Sequence, residues 1–157
     1  MRIVVDGAAR MARERSRAAS EINATADEVR RRFVTPIAGQ DMVYLRKEEE
    51  ARRYLLADPE PATLADFPML ASEVGITAPT AFQLATIWLF MSGAWTRAAA
   101  AIEAARLSGI DRAHLAQSPS EIDQIVAETS ATLLQIHATL FGRSRRNQHR
   151  AHDPRNF

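Results

Sequence analysis

Apolar residues recur at alternating steps of four and three through 80–106, where Leu84, Trp88, Met91, Trp95, Ala98 and Ile102 share one helix face. Ile87, Phe90 and Ala94 fill a neighbouring face, and no charged residue occurs between Glu73 and Arg97. This segment is therefore apolar most of the way round. It is expected to be a central helix with partners on several sides, supplied by the rest of the chain. A polar helix is predicted over about 7–33, with Met11, Ala18, Ile22, Val29 and Phe33 on its buried stripe and Asp6 as its cap. Arg10, Arg13, Arg17, Glu21, Glu28 and Arg31 face elsewhere, and the first half of this helix has little to bury. A further helix is predicted over about 41–57, with Tyr44, Leu45, Ala51, Tyr54 and Leu55 on its apolar side. The last helix carries Ile122, Val126, Thr129, Leu133, Ile136 and Leu140 in a heptad-like seam. That seam packs either on the central helix of the same chain or on its own copies.

Breakers and caps set the boundaries. Thr35-Pro36 ends the first helix, because the residue before a proline avoids the helical region, and Gly39 allows a tight turn. Phe67-Pro68-Met69-Leu70 opens a short helix that stops near Gly75. Pro79 lies in the first turn of the central helix, which is expected to weaken at Ser108-Gly109. Ser118-Pro119-Ser120-Glu121 has the form of a capping box. Gly142 is expected to stop the last helix, leaving 143–157 (RSRRNQHRAHDPRNF) disordered until it meets a partner. The fold class is thus all-α: about five helices around a central apolar helix. The domains are an extended N-terminal arm at 1–6, a helical domain at 7–141 and a basic flexible tail at 142–157. Residues 1–5 (MRIVV) are suited to an extended arm or an added strand.

Composition changes this picture little. A chain of 157 residues is one domain by length and can bury a core without staples. The absence of cysteine excludes disulfides and thiol catalysis. Charge is informative in its distribution. Residues 1–40 hold eight Arg against five acids, 41–141 seven bases against thirteen acids, and 142–157 five Arg against one Asp. An acidic body with basic ends suggests protein contacts more than a broad nucleic-acid face. The run 1–7 lacks the apolar core of a secretory signal. Residues 80–96 reach the lower length limit of a membrane span, but Gln83, Thr86, Ser92 and Gly93 favour a buried helix.

Candidate chemistry is thin. Glu48, Glu49 and Glu50 lie among Arg46, Lys47, Arg52 and Arg53 at ion-pairing spacing, which reads as a solvated, salt-bridged face. His149, His152 and Asp153 lack a scaffold that would fix them as metal ligands. His114 and His137 sit on separate predicted helices. Trp88 and Trp95 are able to stack a ligand, but among Leu, Ile and Met at helical spacing they read as core. No catalytic, cofactor or metal residues are assigned. The candidate oligomer or packing seam is Ile122, Val126, Leu133, Ile136 and Leu140. The candidate docking tail is Arg143, Arg145, Arg146, Arg150 and Arg155, five Arg without the interleaved aromatics of a nucleic-acid site.

A set of short segments has a further meaning in its order. It comprises Ile22-Asn23, Thr35-Pro36, Gly39-Gln40, Tyr44, Lys47, Glu50-Ala51 and Tyr54-Leu55, followed by Phe67-Pro68-Met69-Leu70, Glu73, Gly75-Ile76-Thr77, Trp95, Ile102-Glu103 and Arg106. In this order they resemble a small helical family encoded in tail-fibre regions of tailed bacteriophages and prophages. The resemblance covers rather more than half of the chain. It implies a virion structural or tail-fibre-associated protein, made in the host cytoplasm, with no enzymatic activity, no cofactor and no catalytic residues. Its partners would be other virion proteins, and a homo-oligomer is expected, with no membrane and no nucleic acid. The chain departs from long fibre proteins in having no repetitive β shaft and no receptor-binding tip, so an adaptor or decorating component fits better. The alternatives are a tail-fibre assembly chaperone absent from the mature particle, or a small nucleic-acid-binding regulator.

Overall fold

The computed structural model describes residues 7–34 and 37–150, with side chains through 139 apart from that of His137. Five helices follow one another: α1 (Gly7–Arg31), α2 (Gln40–Leu56), α3 (Pro68–Glu73), α4 (Ala81–Leu115) and α5 (Pro119–Arg150). No strand occurs among the described residues, only an isolated bridge between Val74 and Ala78. The all-α expectation therefore holds. The N-terminal arm, Asp6 and the Thr35-Pro36 stop fall outside the described residues. Two compact groups make up the fold. One joins α1 and α5 to α4 from Ala98 onward; the other holds α2, α3 and α4 up to Arg97.

In the first group the sequence stripe of α1 becomes its buried face. Ala18, Ile22, Ala26 and Val29 are fully buried, and Met11 packs at the edge. Ala18 packs in one cluster with Ala113 of α4, Ala116 just beyond its end, and Ile122 and Ile125 of α5. Ile22, Ala26 and Val29 meet Ile102 of α4 and Leu133 of α5. Burying each of these large aliphatic side chains contributes roughly 1.5–3 kcal/mol. The first half of α1, polar as it is, closes on the end of α4: Arg15 Nη2 donates to the Ala116 carbonyl at 2.9 Å, satisfying a terminal acceptor. On the outer face Arg17 pairs with Glu14 and Glu21 at 2.8 Å and Arg31 with Asp27 at 2.5 Å, at helical spacing.

Helix α4 does not weaken at Ser108-Gly109; it runs unbroken to Leu115. The reason is packing. Gly109 is buried, and a Cβ placed there would lie 2.5 Å from both Cγ2 and Oγ1 of Thr129. The missing side chain lets α5 approach, and that contact offsets the ~1 kcal/mol helix penalty of glycine. Helix α5 opens as its capping box predicts, with Glu121 N–H donating to Ser118 Oγ at 3.2 Å. The Glu121 carboxylate accepts from Gln117 N–H at 2.8 Å, one residue earlier than the usual reciprocal bond. The helix then passes Gly142 and ends at Arg150, so the expected stop does not occur. A lone glycine is a weak breaker when good helix formers such as Arg and Gln follow it.

The second group is built on α2. Ala51 and Tyr54 pack with Phe67, Leu70, Ala78, Leu84, Ala85 and Trp88. Tyr54 and Phe67 meet edge to face with ring centroids 5.5 Å apart. Gly39 (φ 78°) precedes α2 and Gly75 (φ 84°) follows α3, both in the left-handed region where the turn expectations put them. Helix α4 begins at Ala81, two residues after Pro79, and Thr80 Oγ1 caps it by accepting from Gln83 N–H at 3.2 Å.

Candidate interaction surface

The charged run of α2 is not a uniformly solvated face. Glu48 does pair with Arg52 at 2.7 Å, and Glu49 pairs with Arg46 at 2.8 Å, in place of the expected partner Arg53. Arg53 instead donates to the Asp66 carbonyl at 2.8 Å. Lys47 and Glu50 turn inward. Lys47 forms an ion pair with Glu73 and sits 5.1 Å from the centroid of the Trp88 ring, a cation–π contact. Glu50 is 6% exposed, and its Oε2 accepts from the N–H groups of Met69 at 2.8 Å and Leu70 at 3.1 Å. These are free donors of the first turn of α3, whose own cap residue, Phe67, has no side-chain bond to offer. Glu50→Ala should leave both donors in a desolvated setting and cost about 1–3 kcal/mol. Glu49→Ala, on the solvent side, should change stability by less than about 0.5 kcal/mol. Thermal unfolding of the two variants checks this contrast.

Two further carboxylates bind this group together. Ser92 Oγ donates to Glu48 Oε2 at 2.5 Å; with Arg52 it holds the Glu48 carboxyl below its ordinary range. Tyr54 donates its hydroxyl to Glu60, and that bond, with burial, pushes the Tyr54 phenol up to about 12 from 10.0. The neutral phenol is the favoured form in the folded state. Its contribution to stability is complete below pH 10.0 and is lost as pH rises toward about 12. An ultraviolet phenolate titration should show a late-titrating tyrosine that disappears in Tyr54→Phe.

The contacts that α4 makes with this group lie along one of its arcs. Leu84, Ala85 and Trp88 are buried there, Trp95 is half-buried, and Ser92 bonds to α2. Nothing among the described residues covers the opposite arc. Phe82 is 57% exposed, Ile87 42%, Phe90 69% and Met91 57%, with Gln83 and Thr86 exposed between them. The expected partners on several sides of this helix are not seen among the described residues, where α2 and α3 pack on one side. Met91, placed by periodicity on the buried face, is exposed, and so is Leu45 of α2, at 67%. Aromatic side chains bury some 150–250 Å² each, so the four exposed side chains of α4 present roughly 400 Å² of apolar surface. A patch of that size is among the largest a monomer carries and marks interaction sites. At its N-terminal end lies a shallow depression of about 410 Å³, lined by Thr77, Pro79, Phe82, Gln83, Thr86 and Ile87. No helix among the described residues is long and apolar enough to cross a membrane.

The sequence-predicted seam is placed elsewhere. Ile122 and Leu133 are fully buried within the chain, Thr129 is buried against Gly109, and Val126 and Ile136 pack at the cluster edges. Leu140 lies outside the described side chains. Arg143, Arg145, Arg146 and Arg150 fall on the last turns of α5, their side chains likewise outside the description, and Arg155 is beyond the described residues. His149 falls on the last turn of α5 with its side chain outside the description, as is that of His137; His152 and Asp153 are beyond the described residues, and His114 is exposed near the end of α4.

The residues that carry the family resemblance are largely those that pack and brace the two groups. Ile22 meets Ile102. Arg106 donates from Nη1 to Asn23 Oδ1 at 2.9 Å and from Nη2 to Glu103 Oε1 at 2.5 Å, while Arg30 Nη2 reaches Glu103 Oε2 at 2.5 Å. Arg106, then Arg30, keeps the Glu103 carboxyl below its ordinary range. A carboxylate held by two guanidinium groups stays ionised and fixes the spacing of α1 and α4. Lys47, Glu50, Tyr54, Phe67, Leu70 and Glu73 form the interior contacts of the second group. Periodicity had no means of finding the inward Lys47 and Glu50, because it assigns charge to solvent. Comparison of the chain with protein-family models, with curated proteins and with solved structures finds no match.

Proposed function

We propose that this chain is a non-enzymatic, protein-binding component of a tailed-bacteriophage particle, a tail- or tail-fibre-associated adaptor or decorating subunit. The observation that supports a binding role is the charge-free strip of α4 from Phe82 to Met91, held on a rigid base by α2 and left open on its other side. Assignment to a phage particle rests on the resemblance alone. The described basic residues speak for protein rather than phosphate as the partner. Arg17, Arg31, Arg46, Arg52, Arg106 and Arg112 all form ion pairs with carboxylates of the same chain, which lowers the charge left for a phosphate backbone.

A second reading, an assembly chaperone that leaves before the particle is complete, draws on the same strip. Phenylalanine and methionine side chains adapt to varied apolar segments and release them. Quantitative mass spectrometry of purified particles from the source of this gene separates the two. A fixed ratio to the major tail proteins is expected for a subunit. Abundance in the lysate with absence from particles would replace that reading with the chaperone; if no particles form, both fall.

A further inference from the structure

Resting on the reading of the α4 strip as a protein-binding face, we infer that its partner is a second copy of this chain, docked antiparallel across a two-fold axis that passes between Thr86 and Ile87. Three observations carry this. The seam of α5 that could have joined copies is occupied internally: Ile122 and Leu133 have no exposed surface. The open face of α4 carries no charge, so like meets like without repulsion, and it offers no charge by which a different partner would be selected.

The third observation is shape. Phe82, Gln83 and Thr86 of α4 line the depression at helical spacing, and Pro79, just before the helix, closes its end, so the depression can receive a side chain in the manner of a hole in knobs-into-holes packing. Phe90, the most exposed of the large apolar residues of the strip at 69%, stands one turn beyond as a knob. Reversing the strip about the point between Thr86 and Ile87 sets Phe90 against Gln83 of the other copy and Ala94 against Pro79. Knob and hole thus lie on the same strip at the spacing an isologous pair requires. Doubling a patch of roughly 400 Å² and adding its polar rim approaches about 1,000–1,200 Å², the low end of specific interfaces. The dimer is therefore expected to be reversible, with dissociation in roughly the micromolar range.

The chain has no cysteine, so single introduced cysteines report geometry without background. On the full-length protein, light scattering over a concentration series should show the mass rising from 17.4 kDa toward twice that value. Phe90→Asp should remain monomeric throughout, with unchanged circular dichroism and melting. Thr86→Cys should cross-link under mild oxidation. Arg97→Cys should not, because its copies would lie roughly 30 Å apart along the paired helices at 1.5 Å per residue. A protein that stays monomeric at hundreds of micromolar with no Thr86→Cys cross-link overturns the inference, as does cross-linking at position 97 but not at 86. In the monomeric case, reduced incorporation of Phe90→Asp into particles would leave the binding-face reading standing. No effect of Phe90→Asp on incorporation would remove that reading too.

Discussion

Leu133→Asp is expected to abolish the cooperative unfolding of the group formed by α1, α5 and the second part of α4. Leu133 has no exposed surface and packs in one cluster with Ile22, Ala26, Val29 and Ile102. Removing the leucine alone costs about 2–5 kcal/mol in a core of this kind. The carboxylate adds a desolvation penalty in a cluster of aliphatic side chains. Together these rival the ~5–15 kcal/mol that holds an ordinary domain folded. Far-ultraviolet circular dichroism should show a large loss of helix. Leu134→Asp, one residue on and 42% exposed, is the matched control and should melt nearly as the parent does. A Leu133→Asp protein that stays helical while losing oligomers would move Leu133 from the chain's own core to a contact between copies.

The second large effect is expected at Gly109. Adding a single methyl group improves helix propensity by about 0.8–1 kcal/mol in isolation. Here the new Cβ would lie 2.5 Å from Thr129 Cγ2 and Oγ1 and 3.0 Å from Thr129 Cβ. The last of these is fixed to the α5 backbone, so no rotation of the threonine relieves it and the helices must separate. Overpacking of this kind costs about 1–3 kcal/mol, and Gly109→Val should cost more than Gly109→Ala. Thr129→Ala removes the two nearest atoms and should restore part of the loss in Gly109→Ala. Denaturant unfolding of the single and double variants gives the coupling directly. Strict additivity would mean that α4 and α5 do not meet at these residues.

Both predictions concern places where the pattern of apolar residues was informative in different degrees. The stripe of α1 and the seam of α5 were legible because each helix has one apolar side, and a helix with one apolar side has one way to be buried. Ser118-Pro119-Ser120-Glu121 was legible because capping is local chemistry. The first part of α4 was not, since residues apolar all round carry no statement of which side has a partner. Phe82, Ile87, Phe90 and Met91 stay exposed while Leu84, Ala85 and Trp88 are buried because α2 and α3 lie against only one arc of the helix. Gly109 reads in sequence as a weak point, and only the position of Thr129 turns it into a contact. Lys47 and Glu50 were hidden for the opposite reason: each finds a partner far along the chain, Glu73 or the α3 amides, that spacing within α2 does not reveal.

The bond from Glu50 to α3 also orders events in time. A helix of six residues is far below the length at which a helix sustains itself in water, because fixing the first turn costs more than its few bonds return. Helix α3 therefore has no independent existence during folding. Its first amides acquire an acceptor only after α2 has formed and turned Glu50 inward, so it is a late arrival templated by its neighbour. The Phe67 and Leu70 side chains it brings are then the last to close over Tyr54 and Trp88.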